Sequence, residues 1–183
     1  MFKKVYPREK YLKKIRPFYD SDIIKVITGI RRCGKSCILK AIMNELSSNG
    51  VPESQIIYIP LDKRGYKNIK TPEELEAKIE SMLGAEEFYY LFIDEIQNVL
   101  EWERVVNSLR ATKNTSIFIT GSNSDLLSSD LATHIAGRYV SFKITPFTFD
   151  EVCKLLNITD NRDIEDAFND YIKWGGMPQR FMQ

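Results

Sequence analysis

The 183 residues suit one domain with the beginning of a second, and they are enough to bury a full core. With 26 Lys and Arg against 25 Asp and Glu, the formal net charge of +1 gives no argument for nucleic acid or for a membrane surface. No apolar run approaches the roughly 18 residues of a membrane span, and the basic start Met1-Phe2-Lys3-Lys4 lacks the apolar stretch of a signal peptide. Cys33, Cys37 and Cys153 have no metal-ligand spacing and read as reduced thiols of a cytoplasmic protein.

Residues 1–16 concentrate basic charge: Lys3, Lys4, Arg8, Lys10, Lys13, Lys14 and Arg16 stand against Glu9 alone. A nucleic-acid contact is one reading. The favoured one is an N-terminal helix docked through Tyr11, Leu12 and Ile15, with its lysines in solvent.

A β-branched, nearly apolar strand over 23–28 comes next. It runs into Gly29-Ile30-Arg31-Arg32-Cys33-Gly34-Lys35-Ser36, a complete match to the phosphate-binding loop pattern G-x-x-x-x-G-K-[ST]. Gly29 and Gly34 let the backbone turn tightly and approach phosphate oxygens. Successive N–H groups form an anion-binding concavity, and the helix behind points its positive end at the same place. Lys35 reaches β- and γ-phosphates, and Ser36 offers a hydroxyl to Mg²⁺. The helix is expected over 37–46, with apolar residues 38, 39, 42, 43 and 46 on one face and Gly50 past its end. Gly29, Arg31, Arg32, Cys33, Gly34, Lys35, Ser36 and Cys37 are the expected nucleotide contacts. Cys33 is either an alkylatable thiol or the filler of a variable loop position.

A second strand spans 55–61, followed by a basic surface loop over 63–70. Thr71-Pro72-Glu73-Glu74 combines an N-cap, Pro at the first helical position and Glu three residues after the cap. Its helix carries Leu75, Ile79, Met82 and Leu83. A third strand over 88–93 is apolar throughout and therefore central. Asn98 and Glu101 repeat the capping logic before a helix bearing Trp102, Val105, Val106 and Leu109. The remaining elements are a strand over 115–120, a short helix across 123–135, a strand over 139–144 closed by Pro146, and helices near 148–157 and 163–174. Strands alternating with helices imply a three-layer α/β/α fold around a five-stranded, mainly parallel sheet. Ligands of such sheets bind at the carboxyl ends of the strands.

The third strand ends in Asp94-Glu95. Asp94 is expected to hold Mg²⁺ together with Ser36. Glu95, beside it, is placed to orient and polarise a water in line with the γ-phosphate. The fourth strand ends in Thr120-Gly121-Ser122-Asn123, small polar residues suited to the attacking water or the γ-phosphate. Ser122 stands for this group among the expected catalytic residues, with Lys35, Glu95 and Arg138, although spacing alone does not orient the four side chains. Arg138 would stabilise transition-state charge in cis or from a neighbouring subunit. His134, the single histidine, reads as a surface or packing residue.

A strand–helix unit, residues 55–83, separates the loop strand from the Asp94 strand along the chain. An inserted strand and an extra Glu go together in the branch holding AAA-type and RecA-type ATPases. In GTPases and many small-molecule kinases the metal-binding strand neighbours the loop strand. No Asn-Lys-x-Asp guanine reader is present, which favours ATP over GTP. The strings at 29–36, 91–97 and 119–122, then Gly137-Arg138, Pro146-Phe147 and Gly175-Gly176-Met177-Pro178, fall in one order. In that order they resemble prokaryotic AAA-type ATPases whose nucleotide domain is joined to a C-terminal domain of unknown function. The family is related to archaeal and, more distantly, origin-recognition ATPases. The resemblance implies a core over 1–147 and a helical extension over 148–183 leading to a C-terminal domain missing here. It also implies ATP and Mg²⁺ binding through Lys35, Ser36 and Asp94, with Glu95 as base. The expected function is ATP hydrolysis coupled to conformational change. The alternative is a non-hydrolysing nucleotide switch, against which the intact Asp94-Glu95 pair argues. A homo-oligomer and a protein or DNA partner are open readings.

Overall fold

The structure, a computed structural model, describes residues 6–122, 135 and 137–181. The expected helix across 123–135, Asn123 and His134 therefore lie outside the described residues, apart from Ile135, which is buried. The described elements run α1 (Glu9–Ile15), β1 (Ile24–Thr28), α2 (Lys35–Ser48), β2 (Ile56–Pro60), α3 (Pro72–Glu80), β3 (Tyr89–Asp94), α4 (Trp102–Thr112), β4 (Thr115–Gly121), β5 (Tyr139–Lys143), α5 (Phe149–Leu156) and α6 (Asn161–Trp174).

The five strands form one sheet in the order β2-β3-β4-β1-β5, every described pairing parallel. Side chains alternate between its faces, as the strand period of two requires. Ile24, Val26, Ile57, Leu91, Ile93, Ile117 and Ile119 meet α3 and α4 on one side. Ile27, Tyr90, Phe92 and Phe118 meet α1 and α2 on the other. Three layers result, and β1 and β4, covered on both faces, are buried along their whole length.

Local signals explain most boundaries. Thr71 and Glu74 close a reciprocal capping box on α3, with Pro72 at its first position. Thr148 and Glu151 do the same for α5. The cap expected at the start of α4 is different. Glu101 occupies the N-cap with φ 47° and makes no side-chain cap hydrogen bond, while Asn98 lies in a short turn, Ile96–Asn98. The helix is held instead by burial of Trp102, Val105, Val106 and Leu109. The N-terminal helix docks as expected, with Tyr11, Leu12 and Ile15 buried and Lys10, Lys13 and Lys14 exposed.

Chain order sets the 55–83 unit between β1 and the Asp94 strand, but in space β2 is the edge strand. The strand that separates β1 from β3 is β4. Because all strands run the same way, the residues following β1, β3 and β4 gather at one edge of the sheet.

Candidate functional site

At that edge β1 delivers the chain into the loop at 29–36, and α2 begins at Lys35 itself. Gly29 has φ 152°, and a Cβ there would meet the Ile144 carbonyl oxygen at 2.4 Å and Cys33 Sγ at 2.7 Å. Gly34, the N-cap of α2, has φ 107°, a left-handed conformation that disfavours any side chain. Lys35 is only 4% exposed. Its ammonium folds back onto its own loop, donating to the carbonyls of Gly29 at 3.0 Å and Ile30 at 3.4 Å. A buried ammonium needs such acceptors. Here the loop carbonyls occupy the donors that an incoming anion would claim.

Glu95 stands opposite, its Oε1 3.8 Å from Lys35 Nζ. Its backbone is left-handed, φ 59°, in a non-glycine residue. That conformation costs on the order of 1–3 kcal/mol and persists only where surroundings fix it. The surroundings are visible: the Glu95 amide donates to Thr120 Oγ1 at 2.9 Å, and Gln97 Nε2 donates to Glu95 Oε2 at 2.5 Å. Thr120 in turn donates to Asp94 Oδ1 at 2.5 Å. The Asp94 carboxyl, 1% exposed, also accepts from the Tyr58 hydroxyl at 2.9 Å. Burial and then the adjacent Asp94 charge push the Tyr58 hydroxyl well above its ordinary pKa, so it remains a donor. The turn at the end of β3 thus holds Asp94 in the protein and aims Glu95 outward.

Two cavities of about 320 Å³ each share Lys35 and Glu95 as walls. One is completed by Arg32, Gly34, Ser36, Cys37, Pro178 and Gln179. The other is completed by Arg31, Asp62, Gln97, Asn98 and Ser122. The paired arginines therefore face different cavities. Arg32, itself at φ 66°, donates to Gln179 Oε1 at 3.2 Å.

This arrangement, a glycine loop and lysine capping a helix across from a strand-end carboxylate, agrees with the family match. A model described as AAA domain covers residues 21–153. The chain belongs to the AAA domain family. It is 40% identical over 184 residues to an uncharacterized protein of Haemophilus influenzae, covering 100% of this chain and 46% of that one. It is 36% identical over 164 residues to the uncharacterized protein MJ1544 of Methanocaldococcus jannaschii, covering 85% of this chain and 36% of that one. The chain thus spans less than half the length of either relative. Its fold is similar to that of the Walker-type ATPase PABY2304 of Pyrococcus abyssi, with a TM-score of 0.63 and 17% identity over 97% of this chain and 65% of that one.

Of the expected site residues, Asp94 and Gly29 line neither cavity, while eight others do. Arg31, Arg32, Gly34, Lys35, Ser36, Cys37, Glu95 and Ser122 line the cavities. Cys33 does not join them: its thiol is fully buried in the core, and burial raises its pKa, so neither alkylation nor a side-chain contact with a ligand fits. Arg138 is also apart. Ile24, the first residue of β1, pairs with Tyr139, and its amide donates to the Arg138 carbonyl at 2.9 Å. Arg138 is exposed at the amino end of the sheet, a strand's length of about 13–17 Å from the loop. The reading in cis is corrected accordingly.

Sequence reasoning missed Tyr58, Gln97, Asp62, Pro178 and Gln179. The Gly175-Gly176-Met177-Pro178 string was the one available signal for the last two. It returns to the loop because Phe147 N donates to Gly176 O at 2.7 Å and Tyr171 hydroxyl donates to Phe147 O at 2.8 Å. Among the described residues no helix is long and apolar enough to cross a membrane.

Proposed function

We propose that this chain binds ATP with Mg²⁺ and hydrolyses its terminal phosphoanhydride bond, changing the conformation of the segment that returns to the loop. The observation that carries this reading is Lys35 and Glu95 facing each other at 3.8 Å across two adjoining cavities. Phosphates on the loop would accept from the backbone amides around Gly34 and draw the Lys35 ammonium off the Gly29 and Ile30 carbonyls. Arg31 and Arg32 add positive charge on either side. Glu95, held by Gln97 and Thr120, would take the proton of a water attacking the γ-phosphorus as ADP leaves. Ser122, in the same cavity as Glu95, would hydrogen-bond that water or the γ-phosphate.

The residues present fit a divalent ion shared with a phosphate ligand. Among the described residues no three His, Cys, Asp or Glu side chains gather into a metal cage. Ser36 and the anchored Asp94 would supply the protein's share of the contacts, phosphate oxygens and water the rest, as Mg²⁺ prefers. When bound, the ion neutralises charge developing on the β- and γ-phosphate oxygens. Residues 148–183 are read as an extension that responds to the nucleotide, and a role for Arg138 would require a second copy of the chain.

Lys35→Ala tests the binding half of this reading. It removes a charge-assisted contact worth about 1.5–3 kcal/mol, or roughly 10–150-fold in affinity. Calorimetric titration of the folded variant with Mg²⁺ and ATP is expected to show that loss. Unchanged affinity would remove Lys35 from the site.

A further inference from the structure

Arg8 belongs to the basic N-terminal stretch but is not a surface charge. It precedes α1 and is 2% exposed. A buried guanidinium must place five N–H donors, and Arg8 makes five hydrogen bonds. Nε and Nη2 fork onto Glu151, each at 2.7 Å. Nη2 also donates to Pro146 O at 3.2 Å, and Nη1 to Thr145 O at 2.7 Å. The fifth bond runs from Nη1 to Cys33 O at 3.3 Å. Its partners therefore lie on three segments: the phosphate loop, the connection that follows β5, and the first turn of α5.

The contact with Cys33 has a specific consequence. A trans peptide points its C=O and the next N–H in opposite directions. Drawing the Cys33 carbonyl toward the buried guanidinium turns the Gly34 amide away from it, and Gly34 is one of the residues that line the cavity. On the far side, Glu151 is committed to α5: its carboxylate accepts from the Thr148 amide at 2.9 Å within the capping box. Burial alone would push the Glu151 carboxyl up, but Arg8 and the Thr148 amide override it and hold it below its ordinary pKa. The Phe147 ring, 4.9 Å from the guanidinium carbon, belongs to the residue whose amide binds Gly176 O, so the same connection also anchors the segment that carries Pro178 and Gln179 back to the cavity.

We propose that Arg8 is a positioning residue that sets the Gly34 amide for a phosphate and passes the state of the loop to α5 through Glu151. This rests on the nucleotide reading above. A merely structural Arg8 would hold the same segments together without making one respond to a ligand on the other.

Hydrogen exchange separates the two. Wild type and Arg8→Gln are compared with and without Mg²⁺ and saturating non-hydrolysable ATP analogue. In wild type the analogue is expected to slow exchange at residues 29–37 and at 145–156. In Arg8→Gln, at analogue concentrations that still saturate it, slowing at 29–37 is expected to persist while that at 145–156 falls at least about fivefold, the lower end of the coupling usual for linked sites. Equal slowing of 145–156 in both proteins would overturn the proposal, as would a wild type protected at 29–37 alone. A wild type protected at neither segment would overturn the nucleotide reading and this inference with it. If Arg8→Gln does not fold, Glu151→Gln, which keeps the side-chain shape and leaves the Cys33 contact, is read against the same outcomes.

Discussion

At the scale of single residues, charge in the interior is the feature that propensity cannot anticipate. Lys25 is the second residue of the buried strand β1 and is 0% exposed. Its ammonium donates to Ser21 O at 2.9 Å and Ser116 Oγ at 2.7 Å and lies 4.6 Å over the Phe118 ring. Burial pushes it down to about 7, against the upward pull of Asp22 and Asp20. The unfolded chain keeps a lysine pKa of about 10.4. Between these values the unfolded state binds more protons than the folded one, so stability rises with pH at up to about 1.4 kcal/mol per unit. The cost of the buried charge is fully present below about pH 7 and relieved as pH climbs towards 10. Lys25→Met removes this titration. From pH 7 to 9, wild type is expected to gain on the order of 2 kcal/mol over Lys25→Met in urea unfolding. A constant difference across that range would mean that Lys25 does not titrate there. The same blindness hid Arg8 and Tyr58: a basic run reads as a solvated face, and a tyrosine in an apolar strand reads as core, until the fold supplies Glu151 and Asp94 as partners.

At the scale of elements, patterns that are local in the chain were readable and those closed by distant segments were not. The loop at 29–36 and the capping box at Thr71–Glu74 are satisfied within a few residues, so spacing identifies them. The start of α4 is not, because tertiary burial of Trp102 replaces a cap. The segment after α6 is the strongest case. Gly176 is needed there for packing: an added Cβ would meet Phe147 O at 2.0 Å and Tyr171 Cε2 at 2.8 Å. Overpacking of this kind costs about 1–3 kcal/mol. Gly176→Ala is expected to lower the urea midpoint correspondingly and to loosen Pro178 and Gln179 from the cavity. A variant as stable as wild type would show that the return segment tolerates displacement and contributes little to the fold.

At the scale of the whole molecule, alternating strands and helices specify the α/β class, while strand order decides which residues meet. Parallel strands with β4 between β1 and β3 bring the loop, Glu95 and Thr120 to one edge. The parallel run of β5 beside β1 sends Arg138, which precedes β5 and is adjacent to the site in a linear reading, to the opposite edge. Glu95 is where the scales converge: a strained backbone, a turn fixed by Thr120, and a position between two cavities. The decisive measurement is phosphate release from ATP by wild type and Glu95→Gln, with ATP affinity determined on the same samples. Gln keeps the shape and the hydrogen bonds but cannot accept a proton at neutral pH. Affinity is expected to stay within about threefold while turnover falls by about 10²-fold or more, the usual share of a general base. Turnover within about threefold of wild type, or a wild type that binds ATP and releases no phosphate, would contradict hydrolysis at Glu95.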